Sequence, residues 1–210
     1  MSPLRSIVRP ELNLNARPPK STPDISRQFV LVPNFYRDAE SLRAQFEWKM
    51  ARAEAHGNAL LTETSEPEIC RFWAASADRI FPQPAISEFL TFLRSWAHKS
   101  IGTRHASTPE IHVFTNDCWC EPCQDATPAH WRYVYVLGPT AKTTNVKLSL
   151  LPHTPVRRFS FLRLSRTVEV DIQFGAFLVY EKKLSYRMNR LRGGSERPLR
   201  ATIFLSGYLW

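Results

Sequence analysis

From Glu110 to the carboxyl end the chain is cut into short segments rich in Val, Ile, Tyr, Phe and Leu, and no other feature restricts its fold so tightly. The segments are 111–115, 132–137, 146–150, 158–164, 167–172, 176–180 and 201–208, set apart by turns of Gly, Pro, Asn and Asp. Short strands at this spacing build a β-sandwich or jelly roll. Ahead of them the pattern is helical. Residues 28–33 predict a strand and 34–38 a turn, after which Asp38 is placed to cap a helix from Ala39 to about His56. Leu42, Phe46 and Met50 recur every four residues on one face of it, and Gly57-Asn58 closes it. A second helical region is expected over 67–77. A third, over 84–99, carries Ile86, Phe89, Leu90, Leu93 and Trp96 at helical spacing, as a helix does when it is buried on a sheet. Helices that precede strands and brace one sheet predict an α+β fold with a double-stranded β-helix (jelly-roll, cupin-like) core. The expected organisation is one domain over 28–210, preceded over 1–27 by an extended or disordered arm rich in Pro, Arg, Ser and Asn.

With 210 residues, 43% of them hydrophobic, the chain can bury one substantial core. No apolar run approaches the length that crosses a bilayer, and the amino terminus lacks the apolar centre of a secretion signal, so a cytoplasmic protein without a membrane partner is expected. The formal charge of +9 fits either a polyanion-binding surface or a dispersed basic one. Arginines gather in the last third, but no nucleic-acid-binding motif accompanies them. Of four cysteines, three fall in Cys118-Trp-Cys120-Glu-Pro-Cys123, which points to thiols, a metal or redox chemistry before a disulfide framework.

Two stretches carry a resemblance. The first is Pro122-Cys123-Gln124-Asp125, preceded by Phe114 and Trp119 and followed by Trp131-Arg-Tyr-Val-Tyr-Val-Leu137. The second runs from Gly175-Ala-Phe-Leu-Val-Tyr180 through Ser185-Tyr186 to Arg200-Ala-Thr202 and the closing strand. In order and spacing they resemble the prolyl-hydroxylase-like iron(II)/2-oxoglutarate oxygenases. That family carries Pro-His-x-Asp before a Tyr/Val/Leu strand, then a Gly-x-apolar-apolar strand leading to a second His. An Arg-x-Ser/Thr follows and holds the 2-oxoglutarate carboxylate. The opening Phe29-Val-Leu-Val-Pro-Asn-Phe is similar to the family's as well, so the likeness covers most of the chain after the first 27 residues or so.

The resemblance implies a metal position made of Cys123, Asp125 and Tyr186, and an anion position made of Arg200 and Thr202. Family members bind iron(II) with two imidazoles and one carboxylate on one face. This chain keeps the carboxylate but has a thiol at the first imidazole place and a phenol, or the Arg187 guanidinium, at the second. A guanidinium stays charged and repels a dication, and a phenol ligates only once ionised, from a starting pKa near 10. Thiolate, carboxylate and phenolate together favour an oxidised or softer metal over ferrous ion.

Blander readings stand beside these. Asp125 also suits a turn before Ala126-Thr-Pro128, Cys123 a small buried thiol, and Arg200 an ion pair on the sheet, with Arg197 its substitute if the register slips. Gly193-Gly194 reads as a turn rather than a phosphate loop. Cys118, Cys120 and Cys123 with His112 or His130 form an alternative zinc set, though they lack the second paired half of a zinc ribbon. The expectation is an oxygenase-like protein with a degenerate triad and no cofactor, serving as a non-catalytic binding or partner subunit, for instance beside an active paralogous oxygenase. The alternative is an active iron(II)- and 2-oxoglutarate-dependent oxidoreductase with atypical ligands; a weaker one is a polyanion-binding module.

Overall fold

The segment Trp131–Gly138 is buried along nearly its whole length, and its alternation divides the molecule into two cores. In the structure, a computed structural model, residues 28–66, 70–115, 118–120, 128–138, 146–152, 167–188 and 201–210 are described. The elements in chain order are β1 (Phe29–Val32), α1 (Ala39–Ala55), β2 (Thr62–Glu66), β3 (Cys70–Ser76), α2 (Ala77–Ile80) and α3 (Gln83–Ile101). There follow β4 (Glu110–Phe114), β5 (Trp119–Cys120), β6 (Trp131–Gly138), β7 (Val146–Pro152), β8 (Val168–Ile172), β9 (Phe177–Glu181), β10 (Leu184–Arg187) and β11 (Thr202–Leu209). A large sheet has the order β1-β9-β6-β11-β4-β3-β2, with β5 also paired to β3, and a small sheet has the order β10-β7-β8.

Side chains on successive strand positions point to opposite faces. Tyr133, Tyr135 and Leu137 of β6 join Phe177, Val179, Ile203 and Leu205 on the face covered by α1 and α3. Val134 and Val136 join Leu178, Tyr180 and Phe204 on the other face, against Leu148, Leu150, Val170 and Ile172 of the small sheet. Strands of this kind have no solvent face. The β8–β9 connection crosses between the sheets at Gly175, whose φ of 78° suits glycine, and the β9–β10 connection crosses back at Lys182-Lys183.

Leu42 and Phe46 bury the inner face of α1, and Ile86, Phe89, Leu93 and Ala97 that of α3. Phe35 stacks on Phe177 at 4.1 Å, and Trp96 meets Phe177 edge-on at 5.1 Å. Gly57 and Asn58 close α1 with bonds to the Glu54 and Ala53 carbonyls (3.1 and 2.9 Å), a Schellman ending. Asp38 stands at the N-cap but makes no side-chain cap bond; its carboxylate takes the Arg37 Nε–H at 3.1 Å instead. Arg43, almost fully buried, donates to Glu47 at 2.6 Å and to the Leu137 carbonyl at 3.2 Å, fastening α1 to the end of β6. A Cβ at Gly138 would lie 2.5 Å from the Arg43 guanidinium, so only glycine admits that close approach.

One expectation needs correction, and strands β2 and β10 were not foreseen. Residues 70–76 form a strand rather than a helix, because pairing with β2, β4 and β5 overrides local helical preference; only Ala77–Ile80 is helical. β2, Thr-Glu-Thr-Ser-Glu, is an edge strand held by backbone bonds and carries no apolar signal. Ser185 and Tyr186 lie inside the second of these unforeseen strands, β10. The expected strand 158–164 and the arm 1–27 lie outside the described residues.

Two substitutions test the helix-side core. Phe177→Ala removes the ring that Phe35 and Trp96 enclose and is expected to cost about 3–5 kcal/mol in urea unfolding. The Tyr135 hydroxyl is buried with no hydrogen-bond partner among the described residues. Tyr135→Phe is therefore expected to be neutral, or to stabilise by up to about 1 kcal/mol, in the same assay.

Candidate functional site

The two sheets are joined at one point by main-chain bonds. Cys120 of β5 donates to the Met188 carbonyl at 3.0 Å and accepts from the Met188 amide at 2.8 Å, just beyond the end of β10. The strand that leads into residues 121–127 thus adjoins the strand that carries Tyr186. Cys123, Asp125 and Arg200 themselves lie outside the described residues.

Tyr186 is buried between the sheets, opposite Leu150 in register, with its ring edge-on to Tyr180 at 6.5 Å. Arg132 of β6 shares the parity of Val134 and Val136, so it too faces the inter-sheet space. There its guanidinium hydrogen-bonds the Tyr180 hydroxyl and stands 5.7 Å over the Tyr208 ring. Burial holds the Tyr180 phenol well above the ordinary tyrosine range; the Arg132 charge and hydrogen bond oppose the shift but do not cancel it. Thr202, also buried, lies opposite Phe114 at the start of β11. It is six residues from Tyr208, roughly 20 Å along the strand. The phenols and the hydroxyl thus mark two ends of one inter-sheet space.

His112 and His130 stand apart. His112 lies at the register of Phe204, stacked against Phe72 at 4.7 Å, with Nε2 3.3 Å from the Glu110 carboxylate. His130 is exposed just before Trp131, which pairs with Leu209, so roughly 16 Å of strand separates the two. Cys118 is buried with its sulfur 3.3 Å from the Thr115 hydroxyl. Among the described residues no group of three or more His, Cys, Asp or Glu side chains is placed to hold a metal ion. Cys118, Cys120, His112 and His130, the described members of the zinc alternative, therefore make no such group.

No protein-family model matches this sequence, and no curated protein does. Solved structures do. A prolyl-4-hydroxylase from Pseudomonas putida matches with a TM-score of 0.58 at 14% identity, over 87% of this chain and 91% of that one. A prolyl hydroxylase from Trichoplax adhaerens, solved with a hypoxia-inducible-factor peptide, matches at 0.60 and 11%, over 87% and 83%. The non-heme alpha-ketoglutarate-dependent epimerase of nogalamycin biosynthesis matches at 0.60 and 13%, over 87% and 77%. This chain has their double-stranded β-helix fold. At such identities the likeness is one of fold.

Among the described residues no two imidazoles and a carboxylate come together between the sheets. On the inter-sheet face the described residues include three phenols (Tyr180, Tyr186 and Tyr208), the His112 imidazole and the Arg132 guanidinium, and a guanidinium next to a dication is repulsive. Arg132 is the residue that sequence reading passed over as an ordinary strand position; its parity with Val134 and Val136 was the available signal. A hollow of about 770 Å³ between α1 and the Gly175 turn lies on the helix side of the large sheet, outside this space.

The buried phenols set an alkaline limit. Tyr133, Tyr135 and Tyr180 are all raised above the ordinary tyrosine value by burial. Their contribution to stability is complete below the unfolded value of about 10 and is lost as pH rises beyond it. In a tyrosinate absorbance titration these three are expected to stay silent while the protein is folded, then to ionise together on alkaline unfolding. Titration of all six tyrosines near pH 10 with the fold intact would contradict their burial.

Proposed function

We propose that this chain is an oxygenase-fold protein that has given up ferrous, 2-oxoglutarate-linked turnover and acts as a binding or partner subunit. One observation carries the reading: the last histidine is His153, so β8 through β11 contain no imidazole, and the strand of the family's second histidine presents Tyr186. The Arg132 guanidinium beside Tyr180 supports it, since the charge that a metal would supply is already met by a fixed cation. Asp125, the carboxylate of the resemblance, then serves as a turn residue or a polar contact. Arg200 and Thr202 serve as a retained anion anchor for a carboxylate-bearing ligand or partner segment. A paralogous oxygenase of the same fold is the natural partner.

Titration with iron(II) and 2-oxoglutarate, with metal analysis and succinate measurement, tests this. Substoichiometric iron and no succinate above the uncoupled background are expected. One iron per chain with turnover-linked succinate would overturn the proposal.

A second reading is favoured by the Cys120–Met188 bridge, which sets the strand leading to Cys123 and Asp125 beside the one carrying Tyr186. It makes the chain an active oxygenase or oxidase with those three as an atypical metal set. On that reading Asp125→Ala loses metal and activity together. An unchanged metal content in that variant would exclude it.

A further inference from the structure

We propose that Cys70 and Cys120 form a redox-sensitive thiol pair, converted to a disulfide by a peroxide, where the two sheets meet. Cys70 of β3 and Cys120 of β5 are direct antiparallel partners. Both main-chain groups of Cys120 are taken by Met188, on the side away from β3. Towards β3, Cys120 therefore occupies a non-hydrogen-bonded position, where paired Cα atoms stand about 4.5 Å apart and side chains approach most closely. That separation falls at the near end of the range of about 4.4–6.8 Å that disulfides span. Both side chains enter the same inter-sheet core, and both are thiols in the structure. Both are buried at 7% exposure, which suits a small uncharged oxidant such as hydrogen peroxide.

The chemistry balances with one peroxide. A thiolate of the pair attacks a peroxide oxygen, the O–O bond breaks, and the sulfur becomes a sulfenic acid as one water leaves. The second thiol displaces hydroxide from that sulfur, which forms the S–S bond and releases a second water. The two thiols lose two electrons and two protons, and the peroxide takes both. A dithiol reopens the bond by thiol-disulfide exchange. While closed, it clamps β5, the strand leading into residues 121–127, onto the large sheet. The inference is independent of whether any metal binds.

The test is peptide mapping of the full chain after hydrogen peroxide, with remaining thiols alkylated. In a Cys118→Ser, Cys123→Ser background a species linking the Cys70 and Cys120 peptides is expected, thiol titration falls from two to none, and dithiothreitol restores both. Adding Cys120→Ser abolishes the link. Fragmentation of the linked peptide from the unaltered chain keeps the test independent of how the variants fold, and is expected to place the bond at Cys120. Absence of a link at peroxide doses that oxidise an exposed-thiol control would overturn the proposal, as would a bond from Cys70 to Cys118 or Cys123.

Discussion

Every other part of this structure depends on the central strands of the large sheet being buried on both faces. β6, β9 and β11 lie side by side, and each sends alternate residues to the helix side and to the inter-sheet side. A one-residue slip would exchange the two sets, moving Tyr133 and Tyr135 into the inter-sheet space and Val134 and Val136 against the helices. The mismatch in volume on both sides at once is what holds the register. The same alternation decides which side chains can reach a ligand between the sheets. Arg132, Tyr180, Tyr208 and Thr202 follow from that parity.

A consequence is that, among the described residues, the inter-sheet face carries phenols, the Arg132 guanidinium and the His112 imidazole, with no group placed to hold a metal ion. The Tyr180 phenol, its pKa raised by burial, is a neutral hydrogen-bonding group at ordinary pH, and the Arg132 guanidinium beside it carries the local positive charge. Such a lining suits an anion or a polar partner group better than a dication. The Cys120–Met188 junction matters for a separate reason: it ties the small sheet to the large one through main-chain bonds that do not depend on the identity of either side chain, proline excepted. The thiol pair beside that junction lies where a covalent change would be felt by both sheets.

Much of the fold was legible because its strongest signals were local. The segments of β6, β9 and β11 are apolar enough to announce strands, and the periodic faces of α1 and α3 announce helices. β2 was invisible because an edge strand of Thr, Glu and Ser buries little. β3 misled because Cys-Arg-Phe-Trp-Ala-Ala-Ser has no strong period, and its strand state comes from partners distant in sequence. β10 carries no strand signal of its own because Lys182-Lys183, the corner before it, bears no glycine or proline. For the site, order and spacing pointed to β10, to the start of β11 and to the stretch after β5, the last of which lies outside the described residues. Residue types alone could not tell which polar groups converge: the Arg132–Tyr180 contact joins positions 48 residues apart. Cys123, Asp125 and Arg200 stay with the expectations drawn from the sequence.

The central claim is that the oxygenase frame survives without a ferrous ligand set between its sheets. The most direct measurement is anomalous diffraction from crystals grown with manganese(II), as a stand-in for iron(II), and 2-oxoglutarate. The account predicts no manganese peak between β10 and Asp125, with side chains filling that space. A peak at full occupancy there, bound by Asp125 with two nitrogen donors, would contradict it.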